Sequence, residues 1–201
     1  MDDRNKQQAA IKNLLNEERL FSPSKEFVSQ ANLNDVSAKK LREEAFEDPV
    51  SFWEKEARDH LEWFRSWDQA CTNQGMESRW FEGARLNASY NCLDRHLSER
   101  GDKDALIWEG ENGDQRRISY RELYQEVCRL AEALSGLELP QGSIVTLYMP
   151  MVPELVMAVL ACARLGLPHN VVFAGFSAEA LASRIQDAES TVVITADGVE
   201  R

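Results

Sequence analysis

The sequence has 201 residues, a formal net charge of −11, 43% hydrophobic residues and 28% charged residues. This length allows a sizeable buried core, arranged as one medium domain or two small ones. The acidic charge argues against nucleic acid or an anionic membrane as a generic partner, because phosphate groups bind clustered Lys and Arg.

The sequence predicts neither a signal peptide nor a membrane span. Residues 1–18 lack the charged-then-apolar pattern of a signal peptide. The longest apolar run, 152–167, contains Glu154 and Arg164 and is too short to cross a bilayer. The four cysteines have no metal-binding spacing, so we expect separate reduced thiols, and we predict a cytoplasmic protein.

Short amphipathic helices are predicted over the first 65 residues. Apolar side chains at helical spacing indicate a helix over 7–20. A helical turn is predicted from Lys25, a longer helix behind a cap at Asn34, and another from Pro49, which suits the first helical position. None of these helices is apolar enough to be stable alone.

The next segment, 66–86, has no helical or strand period, and it contains three bulky aromatic residues. This pattern favours an irregular wrapping segment. Residues 87–100 predict a helix with Asn87 or Ser89 as its cap. We therefore interpret residues 1–100 as a helical arm and wrapping segment.

The pattern changes after Gly101. Two short strands flank the glycine-containing turn 110–114 and predict a hairpin. Ser119 and Glu122 have the spacing of a capping box, and apolar residues at helical spacing follow as far as Gly136.

Strands and helices then alternate. The predicted strands are 143–149, 170–173 and 191–195, and the predicted helices between them are 153–165 and 178–188. Because the strands are apolar on both faces, we expect a parallel sheet with right-handed crossovers. The predicted fold class is α/β: a helical N-terminal arm followed by the first part of a doubly wound, mostly parallel sheet, with residues 101–201 forming the first βαβ units of a larger domain.

The loops after the three strands are expected at one edge of the sheet, where ligands of open parallel sheets bind. In the second loop, Gly175 lets backbone approach a ligand closely, and the helix behind Ser177 offers free N–H groups to an anion. Arg201 lies in the third loop, where a guanidinium can hold phosphate. By pattern alone, an ordinary tight turn and a solvated arginine are the simpler interpretations of these residues. No catalytic histidine, paired-carboxylate site or metal site is predicted.

Several segments resemble one known family in the same order. Residues 80–83 (WFEG) and 86–96 (LNASYNCLDRH) resemble the N-terminal region of AMP-forming acetyl-CoA synthetases and their propionyl-CoA relatives. The segments 149–154, 160–166 and 169–177 resemble the same family. The match extends from about Phe52 to the end of the chain.

This resemblance implies an adenylate-forming enzyme that joins acetate, propionate or another short acid to coenzyme A. In such enzymes the carboxylate attacks the α-phosphate of Mg-ATP, giving acyl-adenylate and pyrophosphate, and the thiol of coenzyme A then displaces AMP. The family's members are far longer, so we expect an inactive N-terminal fragment whose main partner is the missing remainder of its own chain. The family's phosphate loop, ribose-binding aspartate, acyl-pocket tryptophan and catalytic lysine have no counterpart here.

The resemblance places part of the coenzyme A site on this chain. The family's glycine loop matches Phe173, Gly175 and Phe176, with Ala174 standing where the family usually has a first glycine. The family's phosphate-binding arginine falls on Arg201. Phe173, Gly175 and Arg201 are therefore the candidate cofactor-binding residues, and no catalytic residue is assigned.

Two alternatives remain open from the sequence. The first is a non-catalytic nucleotide- or partner-binding module derived from the same family. The second is a structural domain whose exposed sheet edge recruits another protein.

Overall fold

The computed structural model describes residues 20–198. The chain divides into two units, Met1–Trp53 and Glu54–Arg201. The helix predicted over 7–20 lies outside the described residues, apart from Leu20. The candidate cofactor-binding residue Arg201 also lies outside them.

The short N-terminal helices form where the sequence predicts them. They are α1 (Lys25–Gln30), α2 (Asp35–Glu47) and α3 (Pro49–His60). Asn34 Oδ1 accepts a hydrogen bond from the Ser37 N–H at 2.9 Å, and Ser37 Oγ accepts one from the Asn34 N–H at 2.9 Å, so α2 begins with a reciprocal cap. Neither α1 nor α2 contains a buried residue, which agrees with helices that have no core of their own.

The segment 66–86, predicted as irregular, contains an antiparallel hairpin, so that prediction was wrong. Strand β1 (Gln69–Gln74) pairs with β2 (Glu77–Glu82), and Gly75 turns the chain with φ of 66°. No residue of β2 is buried, and polar side chains lie on both of its faces. The hairpin therefore carries no hydrophobic period from which it could be predicted.

The single helix predicted over 87–100 is also wrong. The structure has α4 (Ala88–Cys92), a 3₁₀ turn (Asp94–His96) and α5 (Leu97–Arg100). Leu93 leaves helical geometry, with φ of −123° and ψ of −67°, and its side chain lies in the core. Asn87 is the cap, since its Oδ1 accepts from the Tyr90 N–H at 3.0 Å, whereas Ser89 is buried inside α4.

The hairpin after Gly101 and the helix behind it are confirmed. Strand β3 (Asp104–Glu109) pairs with β4 (Gln115–Ser119), and α6 (Tyr120–Ser135) follows. Glu122 Oε2 accepts from the Ser119 N–H at 2.8 Å, while Ser119 Oγ accepts from the Glu122 N–H at 3.3 Å. The buried residues of α6 are Leu123, Val127, Ala131 and Leu134, at helical spacing.

A three-stranded parallel sheet forms the centre of the second unit, as predicted. Its strands are β5 (Val145–Met149), β6 (His169–Phe173) and β7 (Val192–Thr195), with α7 (Pro153–Leu165) and α8 (Ala178–Asp187) between them. The spatial order is β6-β5-β7, and Val145 is in register with both His169 and Val192. These elements establish the α/β fold class.

The core lies around the central strand. Val145 and Leu147 of β5 are completely inaccessible to solvent and belong to one apolar cluster with Val127 of α6 and Ala161 of α7. A parallel strand paired on both sides satisfies its backbone groups within the sheet, so an apolar sequence is stable there.

The 86–96 motif binds the C-terminal end of α7 through hydrogen bonds. Asn87 Nδ2 donates to the Ala163 and Arg164 carbonyls at 3.2 and 3.0 Å, which satisfies acceptors that a helix end leaves unpaired. The Asp94 carboxylate binds the Arg164 guanidinium through two bonds of 2.7 and 2.9 Å. Burial raises the pKa of the Asp94 carboxyl above its ordinary value, although Arg164 opposes that shift. The pair therefore fixes geometry more than it adds net stability.

The same segment also holds the chain that precedes β1. Asn91 accepts from the Glu62 N–H at 2.8 Å and donates to the Glu62 carbonyl at 2.9 Å, as a neighbouring strand would. Arg95 donates to the His60 carbonyl at 2.8 Å, and the Tyr90 hydroxyl to Glu62 Oε1 at 3.0 Å. The 86–96 motif therefore fastens neighbouring parts of the second unit to one another.

Replacing Asp94 with alanine should lower the free energy of unfolding by about 2–4 kcal/mol, because it leaves the Arg164 guanidinium unpaired in a partly buried position. The side chains of Asp94 and Arg164 are only 18% and 20% exposed. Urea denaturation followed by circular dichroism measures the change. The matched control is Asp102→Ala, since Asp102 is 92% exposed beside Arg121, and this change should cost less than about 1 kcal/mol. Equal losses in the two variants would contradict the structural role of Asp94.

The capping box of Ser119 and Glu122 makes the free energy of unfolding depend on pH. The Ser119 backbone N–H, followed by its hydroxyl, lowers the pKa of the Glu122 carboxyl below its ordinary value. A lowered folded-state pKa contributes stability above the unfolded pKa, and that stability disappears as pH falls through the folded value. Glu122→Gln should therefore reduce the urea midpoint at pH 7 and leave it nearly unchanged at about pH 3. Glu132→Gln, on an exposed residue of the same helix, should show no such pH dependence.

Candidate functional site

The loops after β5, β6 and β7 open at one edge of the sheet, as predicted. All three strands are parallel, and Met149 is in register with Phe173, while Tyr148 is in register with Thr195. The loops that begin at Pro150, Ala174 and Ala196 therefore leave the sheet side by side.

The loop after β6 is a turn that leads directly into α8. Ser177 Oγ accepts from the Ala180 N–H at 3.3 Å and caps the helix. Gly175 is exposed, and a Cβ atom placed on it would lie 2.5 Å from Cε1 of the Phe173 ring. An alanine at this position would force the exposed Phe173 ring to move away from the loop backbone.

Two aromatic rings stand exposed beside this glycine. Phe173 is 61% exposed and Phe176 is 42% exposed, and their centroids lie 6.2 Å apart in an edge-to-face arrangement. The Arg184 guanidinium carbon lies 4.4 Å from the centroid of the Phe176 ring. Exposed aromatic faces with a cation beside them form a surface on which a flat, anionic ligand can stack.

The side chain of Tyr148 links the sheet to this loop. Its hydroxyl lies 3.0 Å from the Ala174 carbonyl oxygen and 3.2 Å from that of Phe176. Because Tyr148 belongs to the central strand, the loop is tied to the most buried part of the sheet.

A cavity of about 240 Å³ lies on the β7 side of the same edge. Its lining includes Trp108, Asn112, Pro150 and Gly198. The Trp108 indole N–H donates to the Met151 carbonyl at 2.7 Å, which joins the β3–β4 hairpin to the loop after β5. Since Arg201 lies outside the described residues, its approach to Gly175 stays a prediction.

The sequence did not point to Tyr148 or Arg184. Tyr148 lies within the strand β5, so it lacks the glycine or charge that marks a binding loop. Arg184 lies nearly two turns into α8, and helical side chains point back towards the helix N-terminus, which is the signal that could have placed it at the loop.

Two of the three histidines make contacts with neighbouring side chains. His60 is exposed, and its Nε2 lies 3.2 Å from Glu56 Oε2. His96 packs edge-on against Tyr120, with centroids 5.8 Å apart.

Among residues 20–198, no cluster of three or more His, Cys, Asp or Glu side chains could hold a metal ion. Within that same range, no helix has both the length and the apolar character needed to cross a membrane.

Comparison with known protein families gives two adjacent matches. Residues 93–201 match the family model of AMP-binding enzymes, and residues 38–92 match the model of the acetyl-coenzyme A synthetase N-terminus. The first match covers more than half of the chain. The chain therefore belongs to the AMP-binding enzyme family, and the sheet with its three loops lies within the matched part.

Individual relatives carry a more specific name. The chain is 46% identical over 200 residues to an acetyl-coenzyme A synthetase of Rhodopirellula baltica, covering 96% of this chain and 30% of that relative. It is 48% identical to an acetyl-coenzyme A synthetase of Rubrobacter xylanophilus, covering 91% and 28%, and 48% identical to acetyl-coenzyme A synthetase 2 of Pseudomonas putida, covering 85% and 27%. The chain thus spans about three tenths of the length of these curated relatives.

Proposed function

We propose that the complete gene encodes an ATP-dependent ligase that joins acetate, or a similar short acid such as propionate, to coenzyme A. The reaction passes through an acyl-adenylate and releases AMP and pyrophosphate. Identities of 46–48% to proteins named acetyl-coenzyme A synthetase support this class of reaction. ATP and Mg²⁺ would bind to parts of the enzyme that the present 201 residues do not supply.

This chain would contribute part of the coenzyme A site. The observation that carries this assignment is the loop after β6, where the exposed Gly175 lies against the exposed Phe173 ring. An adenine ring can stack on such an exposed aromatic face. Arg201 would hold the phosphates of coenzyme A through its guanidinium.

The proposal includes an organisation of the chain. Residues 1–100 would form the helical arm and wrapping segment, and residues 101–201 the first βαβ units of the large domain. The main protein partner would be the remainder of the same polypeptide, in the cytoplasm, with no nucleic acid or membrane involved. A non-catalytic module that binds nucleotide or a partner chain is the alternative.

The product of the complete gene should catalyse acetate-dependent exchange between ATP and pyrophosphate, and should form acetyl-CoA when coenzyme A is added. The 201-residue chain should catalyse neither reaction, because it lacks the family's phosphate loop and catalytic lysine. Radiolabelled pyrophosphate incorporation measures the first step, and a thiol assay measures the second. Exchange that is absent with both acetate and propionate, together with measurable coenzyme A binding, would favour the non-catalytic module.

Gly175→Ala in the complete-gene product should raise KM for coenzyme A about tenfold, since the new methyl group displaces the Phe173 ring. The pyrophosphate exchange rate should stay within about twofold, because that step does not use coenzyme A. Gly136→Ala is the control, as its added methyl group would meet ordinary contacts of 3.4 Å at the end of α6. An unchanged KM in Gly175→Ala would remove Gly175 from the site.

A further inference from the structure

We propose that Tyr148 is a positioning residue for the loop after β6. Its hydroxyl would hold the loop in the shape that presents Gly175 and Phe173 to coenzyme A. This inference rests on the proposed function for the identity of the ligand, but the contact that carries it lies within the described residues.

The first step is the position of the hydroxyl. It reaches the Ala174 and Phe176 carbonyl oxygens at 3.0 and 3.2 Å, and these two carbonyls lie on either side of Gly175. A tyrosine hydroxyl has one proton, so it donates to one of the two or is shared between them. One side chain from the central strand therefore reaches both carbonyls that flank the glycine, and its single proton restrains the backbone there.

The second step is the flexibility of the loop backbone, which the hydroxyl would restrain. Residues 175–177 are exposed, and glycine restricts its own backbone less than any other residue. One backbone hydrogen bond, from the Phe176 N–H to the Phe173 carbonyl at 3.1 Å, closes the turn, and an exposed turn of this kind opens more easily than the elements that it joins. Because the Phe173 ring lies 2.5 Å from the position of a Gly175 Cβ, a shift of this backbone also moves the ring.

The third step is what remains when the hydroxyl is removed. Arg184 lies on the Phe176 ring at 4.4 Å, and Asn170 Nδ2 donates to the Arg184 carbonyl at 3.3 Å. These contacts keep α8 close to β6. Loss of the Tyr148 hydroxyl should therefore loosen the loop backbone and leave the sheet and α8 folded.

The test uses Tyr148→Phe in the product of the complete gene. KM for coenzyme A should rise about three- to tenfold, in keeping with the loss of one hydrogen bond that orders a binding loop. Acetate-dependent pyrophosphate exchange should stay within about twofold of the unaltered enzyme. Amide deuterium uptake of a peptide covering 173–178 should become several-fold faster, which reports loop opening without reference to activity.

Tyr120→Phe is the matched control. Tyr120 is also partly buried against the core, and its ring contacts His96 instead of a binding loop. This variant should change neither KM for coenzyme A nor deuterium uptake at 173–178.

The outcomes separate the two proposals. An unaltered enzyme without pyrophosphate exchange would refute the proposed function, while faster uptake in Tyr148→Phe would still support the positioning role. Unchanged uptake together with unchanged KM would refute the role of Tyr148. An equal fall in exchange and in thioester formation would also refute it, because that result indicates general damage to the enzyme.

Discussion

The parallel pairing of β5 with strands on both of its sides is the constraint on which this structure depends. Val145 pairs with His169 on one side and with Val192 on the other, so the three strands share one direction and one register. That register places the three following loops at one edge. It also buries Val145 and Leu147 completely, so any β5 side chain that reaches the edge is attached to a closely packed strand backbone.

The 86–96 motif has a different physical task. Its asparagines and charged side chains satisfy backbone groups that a helix end and an extended segment leave unpaired, through Asn87 on α7 and Asn91 on Glu62. Such residues are costly to bury without partners, so each one needs a specific contact. The motif itself lies apart from the candidate ligand loop.

Local signals predicted most of the second unit. The Ser119 capping box, Pro153 at the start of α7 and Gly166 at its end are interactions between residues close in sequence, and the structure has all three. The predictions failed where long-range contacts prevailed. Leu93 breaks a helical pattern because its side chain enters the core, and the β1–β2 hairpin forms without any hydrophobic alternation.

By itself, the sequence determined the order of strands and helices after Gly101, the α/β class, the position of Gly175 in the loop after β6 and the likeness to AMP-forming synthetases. These features depend on local spacing and on residue types that only a few backbone geometries accept. Only the tertiary structure decided that Tyr148 and Arg184 converge on the same loop, and that Asp94 pairs with Arg164. Those contacts join residues from different elements, which only the packed sheet and helices bring within hydrogen-bonding or ring-stacking distance.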